Sequence, residues 1–193
     1  FSNIFKGRHA VDVPFVASRI CGFCQAAHQA AAAGAVEAAF GIEIPEAAVL
    51  VRLLLKAVSH LSYHLFHFYQ QAIPDWIDIK RILAYRGSSS NLLQLKNRLS
   101  QLLESGEAVP FSTSFAVDAD TIADPEIVAE LVSHYFRALE VQSWLARMGA
   151  LLGGRFPHSQ SIVVGGITAA PGPDALYQFE KLLNKVSSFV KKV

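Results

Sequence analysis

Arg19-Ile20-Cys21-Gly22-Phe23-Cys24-Gln25-Ala26-Ala27-His28 is the stretch on which the reading of this chain turns. Cys21 and Cys24 are three positions apart and are the only cysteines in the sequence. On a turn that enters a helix, both sulfurs of such a pair can face one metal ion. Gly22 removes a side chain where the backbone has to bend close to that metal. The positive end of the helix favours thiolate over thiol, and Arg19 adds a full charge nearby. His28 follows Cys24 by one helical turn, where it could donate a hydrogen bond to a ligating sulfur. Thiolates are soft ligands that suit nickel, iron and zinc. Two of them do not close a zinc site, and no second pair with zinc-finger spacing is present. A structural disulfide framework uses widely spaced cysteines. From spacing alone, three readings stay open: a metal pair, a redox dithiol, or thiols with no chemistry.

Outward from this stretch the pattern is mainly α. Residues 2–18 read as loop, with Gly7, Asp12 and Pro14 as breakers. An alanine-rich helix is expected from about Cys24 to Phe40, stopped by Gly41. Pro45 opens a second helix from about Glu46 to Gln71, with Pro74 beyond its end. A third helical stretch covers about Ile77–Leu103, with Gly87 and the serines after it as a division point. Residues 105–123 are polar and turn-rich, with alternation over Phe111–Val117. A helix then runs from Pro125 to Leu152, and Gly153-Gly154 ends it. A loop through Pro157-His158, a short strand over Ser161–Val164 and the breaker pair Gly165-Gly166 precede a last amphipathic helix, Asp174–Lys192. Small irregular or β excursions are thus expected around 105–123 and 155–170. Without repeat or linker, residues 1–193 read as one partial domain.

Composition narrows the classes. Of the 193 residues, 52% are hydrophobic and 17% charged, below the usual quarter or so. Such a chain has apolar surface to cover inside a larger assembly or against a partner. A net charge of +1 argues against nucleic acid as the partner. The one basic cluster, Lys181, Lys185, Lys191 and Lys192, reads as a solvated helix end. The charge-free runs Ile20–Val36 and Ala57–Pro74 read as buried helices rather than membrane spans, because the second carries His60, His64 and His67. No signal peptide opens the sequence, which starts in mid-pattern at Phe1.

The run Arg19-Ile20-Cys21-Gly22-Phe23-Cys24 with His28 resembles the N-terminal metal motif of nickel–iron hydrogenase large subunits, Arg-x-Cys-Gly-x-Cys-x-x-x-His. Three more blocks resemble the same family in the same order. They are Gly7-Arg8-His9-Ala10-Val11-Asp12-Val13-Pro14, then His67-Phe68-Tyr69 with Asp75-Trp76, then Gly153-Gly154-Arg155-Phe156-Pro157-His158 followed by Val163-Val164-Gly165-Gly166. The resemblance is strongest toward the membrane-associated uptake group. It departs at Phe23, where a smaller aliphatic residue is common in the family. The family's upstream Glu-Gly-His motif and its C-terminal cysteine pair are not in this sequence, so a fragment lacking both termini, and inactive alone, is expected.

The resemblance implies a helical-bundle core and a nickel–iron centre with carbon monoxide and cyanide on the iron. By motif position Cys21 is the terminal nickel ligand and Cys24 the bridge between nickel and iron, the catalytic pair. His28 and Arg19 are the implied neighbours of the ligating sulfurs, and His158 is placed toward the small-subunit electron path. The implied reaction is reversible oxidation of H2 to protons and electrons. The implied partner is a small subunit that alone carries iron–sulfur clusters, with membrane association only through other subunits. The periplasmic side of a membrane is the expected location, with the cytoplasm as the alternative.

Two other functions compete. A metal-free relative in a respiratory complex I-like quinone module shares the ancestry but lacks the metal cysteines, which are present here. An unrelated helical zinc or thiol-redox protein would leave the other three blocks as coincidence. His60, His64 and His67 share one helix face at i, i+4 and i+7, a spacing that can bind metal but more often packs or hydrogen-bonds in a core.

Overall fold

The computed structural model describes residues 2–106 and 121–192. Helices dominate it, and the sheet among the described residues is one two-stranded hairpin. Most of the turn-rich segment expected at 105–123, including 111–117, lies outside the described residues. At its end Ile122 forms a parallel bridge with Ile77.

The N-terminal stretch is not the loop its breakers suggest. It forms α1 (Ser2–Phe5), a single 3-10 turn at Ala10–Asp12, and α2 (Val13–Ser18). Pro14 sits in the first turn of α2, where its missing N–H costs nothing and its fixed φ is already helical. Gly7 does break the chain, at φ 78°.

Helix α3 (Gln25–Phe40) ends as expected at Gly41, whose φ of 64° is left-handed. Its buried line is Gln25, Gln29, Ala33 and Glu37, spaced by four, and three of these are polar. A helix that buries polar side chains must offer them partners. Those partners come from α4 (Glu46–Leu65) and from a hairpin far along the chain.

Helix α4 ends at Leu65, but the helical rod it opens does not stop at Gln71. It runs into a π-helical segment, Phe66–Ala72, and then α5 (Ile73–Trp76), with Pro74 in the first turn of α5. The rod Glu46–Trp76 is long and apolar enough to cross a membrane by length and composition alone. Only 28% of its most apolar window is buried within this chain, so the expectation of a buried helix is not met by the chain itself. Arg52, Lys56 and three histidines on the rod would each be costly in lipid.

The third helical stretch divides around Gly87, into a 3-10 segment (Ile79–Ala84) and α6 (Ser90–Ser105). Helix α7 (Pro125–Gly153) begins where Asp124 accepts from the N–H groups of Glu126 and Ile127. The expected strand at 161–164 is a hairpin, β1 (Ile162–Val163) antiparallel to β2 (Gly166–Ile167), pairing Ile162 with Ile167 and Val163 with Gly166. Its two-residue turn is Val164-Gly165, with Gly165 at φ 87°. Helix α8 (Pro173–Val190) closes the described chain.

The contacts form two compact units. One holds Phe1–Tyr63 and Val141–Val193, with a core that includes Val58, Val141, Leu145, Met148, Ile162 and Val186. The other holds His64–Glu140, around Ile82, Val128, Val132 and Ala138.

Candidate metal centre

The turn Ile20–Cys24 connects α2 to α3, and Cys24 is the residue that caps α3. Its backbone N–H donates to Cys21 Sγ at 3.1 Å. One sulfur is therefore already fixed by the main chain of the residue bearing the other. The side chains also interact: the Cys24 thiol, helped by the N–H groups of Cys24 and Phe23, holds the Cys21 thiol below its usual range. The same interaction, with desolvation behind it, pushes Cys24 up. Both residues are half-buried and both thiols are free. One thiol of the pair is thus poised to ionise first, with its partner beside it.

The neighbours fall in three directions. Phe23 is half-exposed and its ring packs on Tyr63 of α4, centroids 5.9 Å apart at 60°. His28 gives its backbone N–H to the Cys24 carbonyl at 3.1 Å. It lines an apolar groove of about 490 Å³ with Ile20, Ala17, Ala31 and Ala35. Arg19 is exposed, and its charge acts on His158. His158, at φ 64°, is held below its usual range first by burial and then by Arg19, while a hydrogen bond with the Ser18 backbone works the other way. The C-terminal loop is in this way brought against the residues that lead into the cysteine turn. His158 Nδ1 is buried and has no hydrogen-bond partner.

The three histidines His60, His64 and His67 are exposed. Among the described residues no group of three or more His, Cys, Asp or Glu side chains is arranged to hold a metal ion. The exposure of the three histidines overturns the expectation that this helix face packs in a core of the chain.

Sequence reasoning missed the frame that supports the turn. Gln29, fully buried one turn past Gln25, donates through Nε2 to the carbonyls of Ser159 (2.9 Å) and Ile162 (3.1 Å). Arg52 of α4 grips Glu37 of α3 and donates to the carbonyls of Val163 and Gly166, while Gly165 N–H donates to Glu37 Oε1 at 2.9 Å. Helix α3 is thereby fixed to α4 and to the hairpin along its polar line. The one signal in the sequence was the presence of glutamine and glutamate in an otherwise alanine-rich helix.

A family model described as Nickel-dependent hydrogenase matches residues 1–193. The chain belongs to the nickel-dependent hydrogenase family. It is 30% identical to the Hydrogenase-2 large chain of Escherichia coli K12, over 99% of this chain and 38% of that protein. It is 33% identical to the Quinone-reactive Ni/Fe-hydrogenase large chain of Wolinella succinogenes, over 98% of this chain and 36% of that one. Its fold matches the Ni-Fe-Se hydrogenase of D. vulgaris Hildenborough with a TM-score of 0.78 and 30% identity, covering 98% of this chain and 34% of that chain. The chain thus spans between a third and two-fifths of the length of these relatives.

Membership of the hydrogenase family implies a nickel–iron centre, and the donor set here fits a share of one. Two soft sulfurs on one turn, with the Cys24 N–H donating to Cys21 Sγ and the two side chains interacting, form a donor pair that suits nickel. They cannot complete its ligand set, and the described residues offer no third donor beside them.

Proposed function

We propose that this chain is part of the catalytic subunit of a nickel–iron hydrogenase that oxidises H2 reversibly and passes the electrons to an iron–sulfur small subunit. The observation that carries the proposal is the sulfur pair at the head of α3 in a chain that the family model matches throughout. Cys21 and Cys24 would hold the centre, Cys21 as a ligand of nickel alone and Cys24 as a ligand shared with the iron, which would carry carbon monoxide and cyanide that the protein itself does not supply. When bound, the two metals supply the Lewis acidity that polarises H2. The chain's own part is to hold the two sulfurs side by side at the head of α3. The Cys24 thiol first, and then the N–H groups of Cys24 and Phe23, favour the Cys21 thiolate, the stronger hydrogen-bond acceptor.

His28 and Arg19 are the proposed neighbours of the ligating sulfurs, Arg19 just before the cysteine turn and His28 one helical turn after Cys24. His158 faces the electron path, and a buried Nδ1 without a partner supports a contact made outside this chain. The exposed apolar residues of the rod, Leu50, Leu53 and Phe68 among them, suit an assembly that covers them. The assembly is membrane-associated through other subunits, on the periplasmic side.

The test is metal analysis and H2-dependent dye reduction by the full-length subunit matured with its partner. Nickel and iron together, lost in Cys21→Ser and in Cys24→Ser, support the reading. Zinc in place of nickel, or nickel retained by both variants, overturns it.

A further inference from the structure

Two buried hydroxyl oxygens of α4 have no hydrogen-bond partner, Tyr63 Oη and Ser59 Oγ. They are one turn apart on α4 and so share a face of the helix. Elsewhere that helix buries Val51, Leu55 and Val58, so these hydroxyls interrupt an apolar line. The Tyr63 ring is seated on Phe23, the residue between Gly22 and Cys24, which ties the phenol to the cysteine turn. Charge on Cys21 and on Cys24 is felt at the phenol. Ser59 and the Gln25 backbone lie near it, without a hydrogen bond of good geometry to Oη. A buried donor left unpaired is rare in native proteins, because desolvation is not offset. If packing on Phe23 were the whole role, phenylalanine would fill it, and the hydroxyl would be a pure cost.

We propose that Tyr63 is a hydrogen-bond donor to the metal centre held by Cys21 and Cys24, its hydroxyl reaching an acceptor carried on the metals. The proposal rests on the hydrogenase reading above and deepens it, since it names a residue of the site outside the cysteine motif. The phenol stays protonated, because burial disfavours its anion, and so it acts as a donor rather than as a base. Its effect is to orient and stabilise charge on the metals at a fixed point. A rival partner, a polar group on another part of the polypeptide, predicts a different outcome in the experiment.

The experiment is electron–nuclear double resonance on a paramagnetic nickel state of the full-length subunit with its partner, in light and in heavy water. Wild type is compared with Tyr63→Phe, which keeps the ring and its contact with Phe23. Nickel content is measured on both. The expected result is an exchangeable-proton coupling in wild type that is missing in Tyr63→Phe at equal nickel content. The proposal is overturned by a coupling that survives in Tyr63→Phe. It is overturned as well by wild type showing no exchangeable proton near nickel, a result that does not depend on the variant folding. A wild-type protein without nickel overturns the hydrogenase reading itself, which is a separate failure.

Discussion

Arg52 holds both carboxylate oxygens of Glu37, Nη2 to Oε1 at 2.6 Å and Nη1 to Oε2 at 3.0 Å. The pair is nearly buried, with side chains 11% and 8% exposed. Arg52 spends its remaining donors on the hairpin carbonyls of Val163 and Gly166. One ion pair thus joins α3, α4 and the hairpin, and α3 carries the cysteine turn at its other end.

Removing one member of a buried, hydrogen-bonded ion pair leaves a charge without compensation, which typically costs about 3–5 kcal/mol. Glu37→Leu is expected to destabilise the protein by roughly that amount. Arg52→Met should cost less than the sum when combined with it, because the double variant leaves no lone charge. Urea unfolding of the single and double variants measures both. Additive losses would show that the two side chains act independently.

The same pair gives a pH dependence with a definite sign. The Arg52 guanidinium holds the Glu37 carboxyl below the ordinary glutamate range, against the opposing effect of burial. A carboxyl depressed in the folded state contributes stability that is fully present above its unfolded value, about 4.3. That contribution is lost as pH falls through the lower folded value. Acid unfolding of Arg52→Met should therefore show a weaker pH dependence below about pH 4.3 than wild type. Equal slopes would remove Glu37 from the account.

Gln29 offers a test of the hairpin's second anchor. Gln29→Leu fills similar space but leaves the Ser159 and Ile162 carbonyls without their donor, at about 1–3 kcal/mol for each group left unsatisfied. Amide hydrogen exchange over 159–167 should accelerate in the variant. Unchanged protection there would mean the hairpin is held by Arg52 alone.

Close packing of α7 on its following loop sets a steric prediction. A Cβ at Gly149 would collide with the Phe156 ring, and one at Gly153 would come within 2.8 Å of Ser159 Oγ. Gly149→Val should cost about 1–3 kcal/mol by overpacking. A thermal midpoint equal to wild type would show that Phe156 swings aside freely.

The long helices were legible because their ends carry punctuation: Gly41 in the left-handed region after α3, Pro45 before α4, Pro125 at the first position of α7, and Gly153-Gly154 at its end. The family was legible from short blocks that follow one another in the family's order. What escaped was whatever depends on partners distant in sequence. Glu37 meets Arg52 fifteen positions on and Gly165 far beyond, and nothing local marks either contact. Residues 2–18 were misread because elements of four to six residues are too short for periodicity to show, and a proline that opens a helix looks like one that breaks it. The π-helical segment Phe66–Ala72 widens the turn without any compositional mark, and so the end of the rod was set too early. Tyr63 escaped because a tyrosine in an apolar helix reads as core.

The central claim is that Cys21 and Cys24 together grip nickel. Nickel K-edge X-ray absorption of the full-length subunit, wild type and with Cys21→Ser or Cys24→Ser, addresses it directly. The expected result is a nickel–sulfur shell in wild type that shrinks in each variant that still retains nickel, or nickel that is lost altogether. Nickel bound at wild-type occupancy with an unchanged sulfur shell in both variants would contradict the account.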